Sequence, residues 1–282
     1  MNYLSLAALT HTHKDGPQVA GDWLEEAFTA HLGGYAPAST DDRSATTRSW
    51  AVGGVLGTET LVQSRPVVRD PATRFTDDFL RAPSQCILAG FAAAQDKARP
   101  PRFGVTRFQR WIALAGNTGM ERLDEDGHRA LRDRLRGALP PFIQRSLVDG
   151  SDRELIGMAA IARLHAATSL GKTYAAPELF REALSAVDAS LEEAEVDLLV
   201  SDGRTLGVLH RGGRALALRP PAVAGRRPLA DGRTLEDARE AALLVLISPP
   251  NAAPLRTDGE AEAIVDGVFT VGARHPVRIR RD

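Results

Sequence analysis

The chain of 282 residues has one cysteine, Cys86. A single thiol closes no disulfide within the chain and builds no cysteine-rich metal site. Cys86 opens the apolar run CILAGF at 86–91 and is expected to be a buried small hydrophobe. That fits a reducing, cytoplasmic compartment. Long hydrophobic runs are also missing. The strongest, AALLVLIS at 241–248, is far too short to cross a bilayer. The N-terminal YLSLAAL has neither a basic leader nor a cleavage site, so no signal peptide is expected. Charge of one sign is absent as a theme: 35 basic residues stand against 36 acidic ones, for a formal net charge of -1. No global field draws in nucleic acid or an anionic membrane, and neither is expected as a partner. Lysine is confined to positions 14, 97 and 172, which with the Ala and Pro content reads as the genomic composition of a bacterial source. What is present is ordinary for a globular protein, 43% hydrophobic and 25% charged, and long enough to bury a core of native size.

Residues 2–9 predict a first strand, and THTHKDG at 10–16 a polar loop. DWLEEAFTAHL at 22–32 has helical spacing, with Asp22 as N-cap and acids in the first turn. A Ser/Thr/Asp-rich loop at 38–47 precedes two strands around a short turn within 50–68. A short helix at 71–82, a buried strand at 85–94, a basic proline-containing loop at 97–108 and a strand at 111–115 follow. Apolar residues every three or four positions predict helices over 124–139, 151–168 and 176–194. Ser151 and Glu154 have the spacing of a capping box. Residues 196–218 read as strands joined through Ser201-Asp202-Gly203, with another turn at Gly212-Gly213. ALLVLISP at 242–249 and AEAIVDGVFTVG at 261–272 add strands. Between them, 219–234 is too rich in Pro, Gly and Arg for a regular element and is expected to be a mobile loop. The order strands, helices, strands predicts an α+β fold of mostly antiparallel sheets with helices layered outside. Two sheets face to face account for strands that are apolar on both sides.

Few motifs carry chemistry. Gly171-Lys172-Thr173 suggests a phosphate loop, but the required earlier glycine is Ala166 and the stretch ends a helix. A helix C-cap is the better reading. His11 and His13 lack the further ligands that zinc needs, and His128 and His165 fall on helices. There is no G-x-S-x-G elbow. No cofactor or metal is expected. The one pointed stretch is WIALAGNTG at 111–119, a buried strand that ends in a tight turn with an amide, Asn117, at its tip.

That stretch, with the others in the same order, resembles the class II glutamine amidotransferases, of N-terminal-nucleophile hydrolase type. Within them it is similar to the short γ-glutamyl hydrolases of ergothioneine synthesis. The family's Phe-Ala-His-Asn-Gly strand matches WIALAGNTG, its Gly-Thr-Asp-Ser-Glu helix start matches GSDRELIGMAAIARLH at 150–165, and its Thr-Asp-Gly hairpin matches LLVSDGRTLGVLHRGGRAL. LVLISPP at 244–250 matches its Ala-Ser-Glu-Pro strand and DGVFTVG at 266–272 its closing strand; SWAVGGVLG and CILAGFAAAQ match two upstream strands. The resemblance runs from residue 2 to about 272 and implies one domain over 1–282, a four-layer αββα sandwich of two mostly antiparallel sheets. It also implies where chemistry has gone. Asn2 stands where the family has its Cys nucleophile, whose freed α-amine is the base. Ala92 replaces the Arg that clamps the substrate carboxylate, so that charge-assisted anchor is lost. Gly90 and Gly116 replace two histidines. Asn117 keeps the oxyanion-hole position, Thr118 and Gly119 follow it, and Asp152 keeps the position that holds the substrate amine. An acid in a first helical turn is favoured on its own account. The expectation is a degenerate amidotransferase that binds a protein partner, itself or an active relative, or a small ligand in the residual pocket. The alternative is an amide or γ-glutamyl hydrolase whose nucleophile is exposed by cleavage at Ser5, Thr10 or Thr12, or a new hydrolysis by His11 or His13 with Asp152. A third is a scaffold docking an acidic surface through the 219–234 loop.

Overall fold

The computed structural model describes residues 2–10, 47–56, 59–65, 86–94, 104–168, 175–192, 194–218, 242–248, 261–264, 266–272 and 278–281. Among the described residues, thirteen strands form two antiparallel sheets. The first sheet contains β1 (Asn2–Thr10), β2 (Thr47–Leu56), β3 (Glu59–Arg65), β4 (Cys86–Ala94), β9 (Arg214–Leu218), β10 (Ala242–Ser248) and β11 (Ala261–Ile264), in the order β11-β9-β10-β1-β4-β2-β3. The second contains β5 (Thr106–Phe108), β6 (Trp111–Ala115), β7 (Val196–Ser201), β8 (Thr205–Arg211), β12 (Gly267–Gly272) and β13 (Arg278–Arg281), in the order β13-β12-β8-β7-β6-β5. The expected loop at 97–108 thus gives up its last three residues to an edge strand, held by pairing of Thr106 with Ala113 and Phe108 with Trp111. The run 261–272 splits between the sheets, crossing from the first to the second at Asp266, and the turn at Gly212-Gly213 crosses back the other way.

Strand alternation sorts the core into two slabs. Ile112, Leu114, Leu199, Leu206 and Val208 face the first sheet, where they meet Ala51, Leu88, Val245 and Ile247. Their neighbours Ala113, Ala115, Val196, Leu198 and Leu209 face outward onto helices. Those helices are α1 (Glu125–Gly137), the single turn α2 (Pro141–Gln144), α3 (Asp152–Ala167) and α4 (Pro177–Leu191). Asp124 caps α1 by accepting from Gly127 N at 2.8 Å. In α3, buried on nearly all sides, Gly157 is the point of closest approach: a Cβ there would lie 3.2 Å from Ala113 Cβ. The α+β sandwich of two antiparallel sheets with helices outside is therefore the observed architecture. The helices expected at 22–32 and 71–82, which would form the fourth layer, and the loop at 219–234 lie outside the described residues.

The two ends of the sandwich follow from register. A Cβ on Gly203 would come within 2.7 Å of Val55 Cβ, so the β7–β8 turn abuts the C-terminal end of β2. At that end lie Cys86, at the start of β4, and Ile112, paired with Ser201. At the opposite end β1 begins, with Asn2 opposite Ala93 and Tyr3 opposite Ala92, and β6 runs out into Asn117. Asn2, Ala92 and Asn117, far apart in sequence, share one end of the sandwich.

Candidate functional site

Pairing between β6 and β7 continues past the end of β6. Gly116 N donates to Asp197 O at 2.8 Å and Asp197 N to Asn117 O at 3.1 Å. The chain then turns. Asn117 Oδ1 accepts from Gly119 N at 3.2 Å, the local side-chain turn that Asn is suited to. Gly119 has φ 59°, and a Cβ there would lie 2.4 Å from Glu195 O. Only glycine fits. Thr118 is buried. The other end of the Asn117 amide, Nδ2, donates to Glu195 Oε2 at 3.4 Å, and Arg122 donates to Glu195 Oε1. Gly212, at φ 87°, closes the far side, since a Cβ would reach within 2.5 Å of Glu195 Cγ.

Beside this turn stands a buried pair. His210 Nδ1 is 2.5 Å from Asp197 Oδ1, and the residues are 1% and 1% exposed. They are directly opposite in the β7–β8 register and, by alternation with Leu199 and Val208, face the first sheet. His210 Nε2 lies 3.6 Å from Asp266 Oδ1, which also accepts from Gly212 N at 3.2 Å. The imidazole therefore stands between two carboxylates where both sheet crossovers meet.

Asp152 begins α3. Its Oδ2 is 2.9 Å from His128 Nε2, its Oδ1 accepts from Arg132, and Arg132 also donates to Gly150 O at 2.6 Å. The next residue, Arg153, donates from Nε to Gly116 O at 3.1 Å, which ties the start of α3 to the Asn117 turn. Ser151 accepts from Glu154 N at 3.3 Å, one half of the capping box. The reciprocal half is replaced: Glu154 accepts from Val148, Asp149 and Gly150 N at 2.6, 3.0 and 2.6 Å, while Ser151 N donates to Asp149 Oδ1 at 2.8 Å. Among the described residues no cluster of three or more His, Cys, Asp or Glu has metal-binding geometry. His11, Thr12, His13 and the 171–173 loop fall outside them.

The sequence singles out Asn117, Thr118, Gly119 and Asp152; Glu195, Asp197, His210 and Asp266, which the structure gathers near the Asn117 turn, are not singled out. A signal for one pair exists. The Ser201-Asp202-Gly203 turn, once placed, sets Asp197 opposite His210, each beside the apolar run of its strand.

No family model and no curated protein matches the chain. Solved structures do. The allosteric regulatory enzyme of purine biosynthesis superposes over 99% of this chain and 48% of its own, with a TM-score of 0.50 and 10% sequence identity. The chain shares the fold of that enzyme's matched part. A glutamine aminotransferase class-II domain protein from Silicibacter pomeroyi matches at TM-score 0.48 and 14% identity, covering 98% of each chain. A predicted glutamine amidotransferase from Pseudomonas aeruginosa matches at 0.48 and 13%, covering 97% of this chain and 94% of that one. The chain spans about half the length of the purine enzyme. Identities this low speak for the fold alone.

Proposed function

We propose that this protein is a catalytically degenerate member of the amidotransferase fold that acts by binding, either a protein partner (a second copy or an active relative) or a small ligand, in the cytoplasm. The observation that carries the reading is the identity of residue 2. Asn2 opens β1 at the end of the sandwich where Asn117 lies, and an amide side chain is no nucleophile. Ala92, two residues from the end of the neighbouring β4, offers no cation for a substrate carboxylate. The Asn117 amide is committed to Gly119 and Glu195, and Asp152 to His128 and Arg132. A carboxylate beside Asn117 is also the wrong sign for a developing oxyanion. Kinship with the γ-glutamyl hydrolases of ergothioneine synthesis belongs to this proposal on motif order alone.

The alternative, a hydrolase activated by trimming, ranks second on strand pairing. Cleavage before Ser5 removes Asn2, Tyr3 and Leu4 from their pairing with Ala93, Ala92 and Phe91, and cleavage before Thr10 removes nearly all of β1 from the middle of its sheet. Intact mass of the purified protein separates the two. A mass with no trimming to Ser5, Thr10 or Thr12, and no glutamate release from glutamine or γ-glutamyl amides, is the expected result. A trimmed terminus with turnover would replace this reading by the alternative. Partner capture by the full chain, compared with a chain lacking 219–234, tests whether that loop docks: unchanged capture would remove the loop from the account.

A further inference from the structure

The Asn117 turn already holds an anion, and that anion is the chain's own. Glu195 precedes β7 and is 78 residues from Asn117 in sequence, so no local rule brings them together. Both carboxylate oxygens are used, Oε2 by Asn117 Nδ2 and Oε1 by the Arg122 guanidinium. The residue is gripped from two sides. Gly119 packs on its backbone and Gly212 on its Cγ and carboxyl carbon, and a Cβ on either glycine would overlap it at 2.4 or 2.5 Å. Both glycines adopt left-handed backbone, φ 59° and 87°. An amide donor, a guanidinium and a glycine-lined seat are the elements of a carboxylate-binding site. Here they are filled from within.

We infer that Glu195 is a resident pseudo-ligand that closes the Asn117 donor to external carboxylates. The ligand class refused at this turn is the amino-acid carboxylate, and one side chain refuses it. This rests on the reading that the turn is a relic of amidotransferase chemistry. It goes further by naming the residue that sets specificity and the chemistry that its removal would restore. A strut that only joins β7 to the turn after β6 would lose stability on truncation but gain no ligand.

The test is calorimetric titration of glutamate, and of acetate as the bare carboxylate, into the full-length wild type, Glu195→Ala, Glu195→Gln and the double variant Glu195→Ala/Asn117→Ala. The wild type is expected to bind both only weakly at millimolar ligand. Glu195→Ala should bind on the order of tenfold more tightly, the worth of one charge-assisted hydrogen bond regained, and the double variant should lose that gain. If Glu195→Ala does not fold, Glu195→Gln keeps the seat filled without the charge and should show a smaller gain that also depends on Asn117. Wild-type binding as tight as that of the variant, or a folded variant that gains nothing, would overturn the inference. Glutamate release from glutamine by the wild type is a different outcome, and would overturn the degenerate reading on which the inference stands.

Discussion

Asp202 at one end of the sandwich and Asp197 at the other are equally buried, 0% and 1% exposed, but they are held by different means. Asp202 accepts from three backbone N–H groups, those of Ala175, Arg204 and Thr205 at 3.0, 3.0 and 2.9 Å. These donors come with the hairpin and with the approach to α4. Burial pushes its carboxyl above the ordinary value of 3.8, against the pull of those N–H groups and of Arg110. Asp197 is bound instead to another side chain, His210, whose other ring nitrogen faces Asp266. A backbone-bound acid serves the turn that it closes. A side-chain network depends on each member's identity, and this one lies at the end where β1 begins. The contrast separates polar groups explained by a local turn from polar groups brought together only by the assembled sheet.

The largest effect that breaks the comparison is expected at the side-chain end. His210→Phe takes the imidazole from a buried carboxylate and should cost about 3–5 kcal/mol of unfolding free energy in urea. Replacing both members, Asp197→Leu with His210→Phe, should recover most of that, because an apolar pair of similar volume avoids burying the charge. A double variant as unstable as the single one would show that the pair does more than satisfy itself.

Asp202→Ala should follow, at about 3 kcal/mol, as three buried N–H groups lose their acceptor. The pH dependence has a definite sign. Asp202's folded value is raised, so its contribution is fully present below 3.8 and is lost as pH rises through the folded value. Between those values the folded protein keeps a proton that the unfolded chain releases. Asp202→Asn should lack that component of the pH–stability curve, and a curve unchanged from wild type would contradict it.

Gly119→Ala should cost about 2 kcal/mol, from a left-handed backbone and a clash with Glu195 O, and should lower the thermal midpoint. The smallest effect concerns Cys86. Burial pushes its thiol up to about 12, so at pH 8 the folded protein should not react with a thiol reagent, while the denatured protein should react at once. Rapid labelling of the native protein would show that the Asp202 end opens.

The sequence makes much of this frame legible. Three helices announce themselves by apolar spacing, one of them also by its Ser151 cap, and the β7–β8 hairpin by its Ser-Asp-Gly turn. β5 and β13 do not, because three residues of TRF and the charged RIRR carry no alternating pattern; pairing with β6 and β12 makes them strands. At the site, the Asn117 turn is written locally in Gly-Asn-Thr-Gly. Its bond to Glu195 is not, since that contact exists only once β6 and β7 are side by side. Asp152 is visible as a helix-start acid, yet its partners, His128 and Arg132, come from the packing of α1 on α3. Local rules give elements and caps, and the network of side chains appears only when the sheet is assembled.

The central proposal is that this chain keeps the fold without amide hydrolysis. It is tested most directly by intact mass of the purified protein followed by incubation of the same sample with glutamine and γ-glutamyl amides. The account predicts no trimmed terminus and no glutamate above the blank. Glutamate release that accompanies a terminus at Ser5, Thr10 or Thr12 would contradict it.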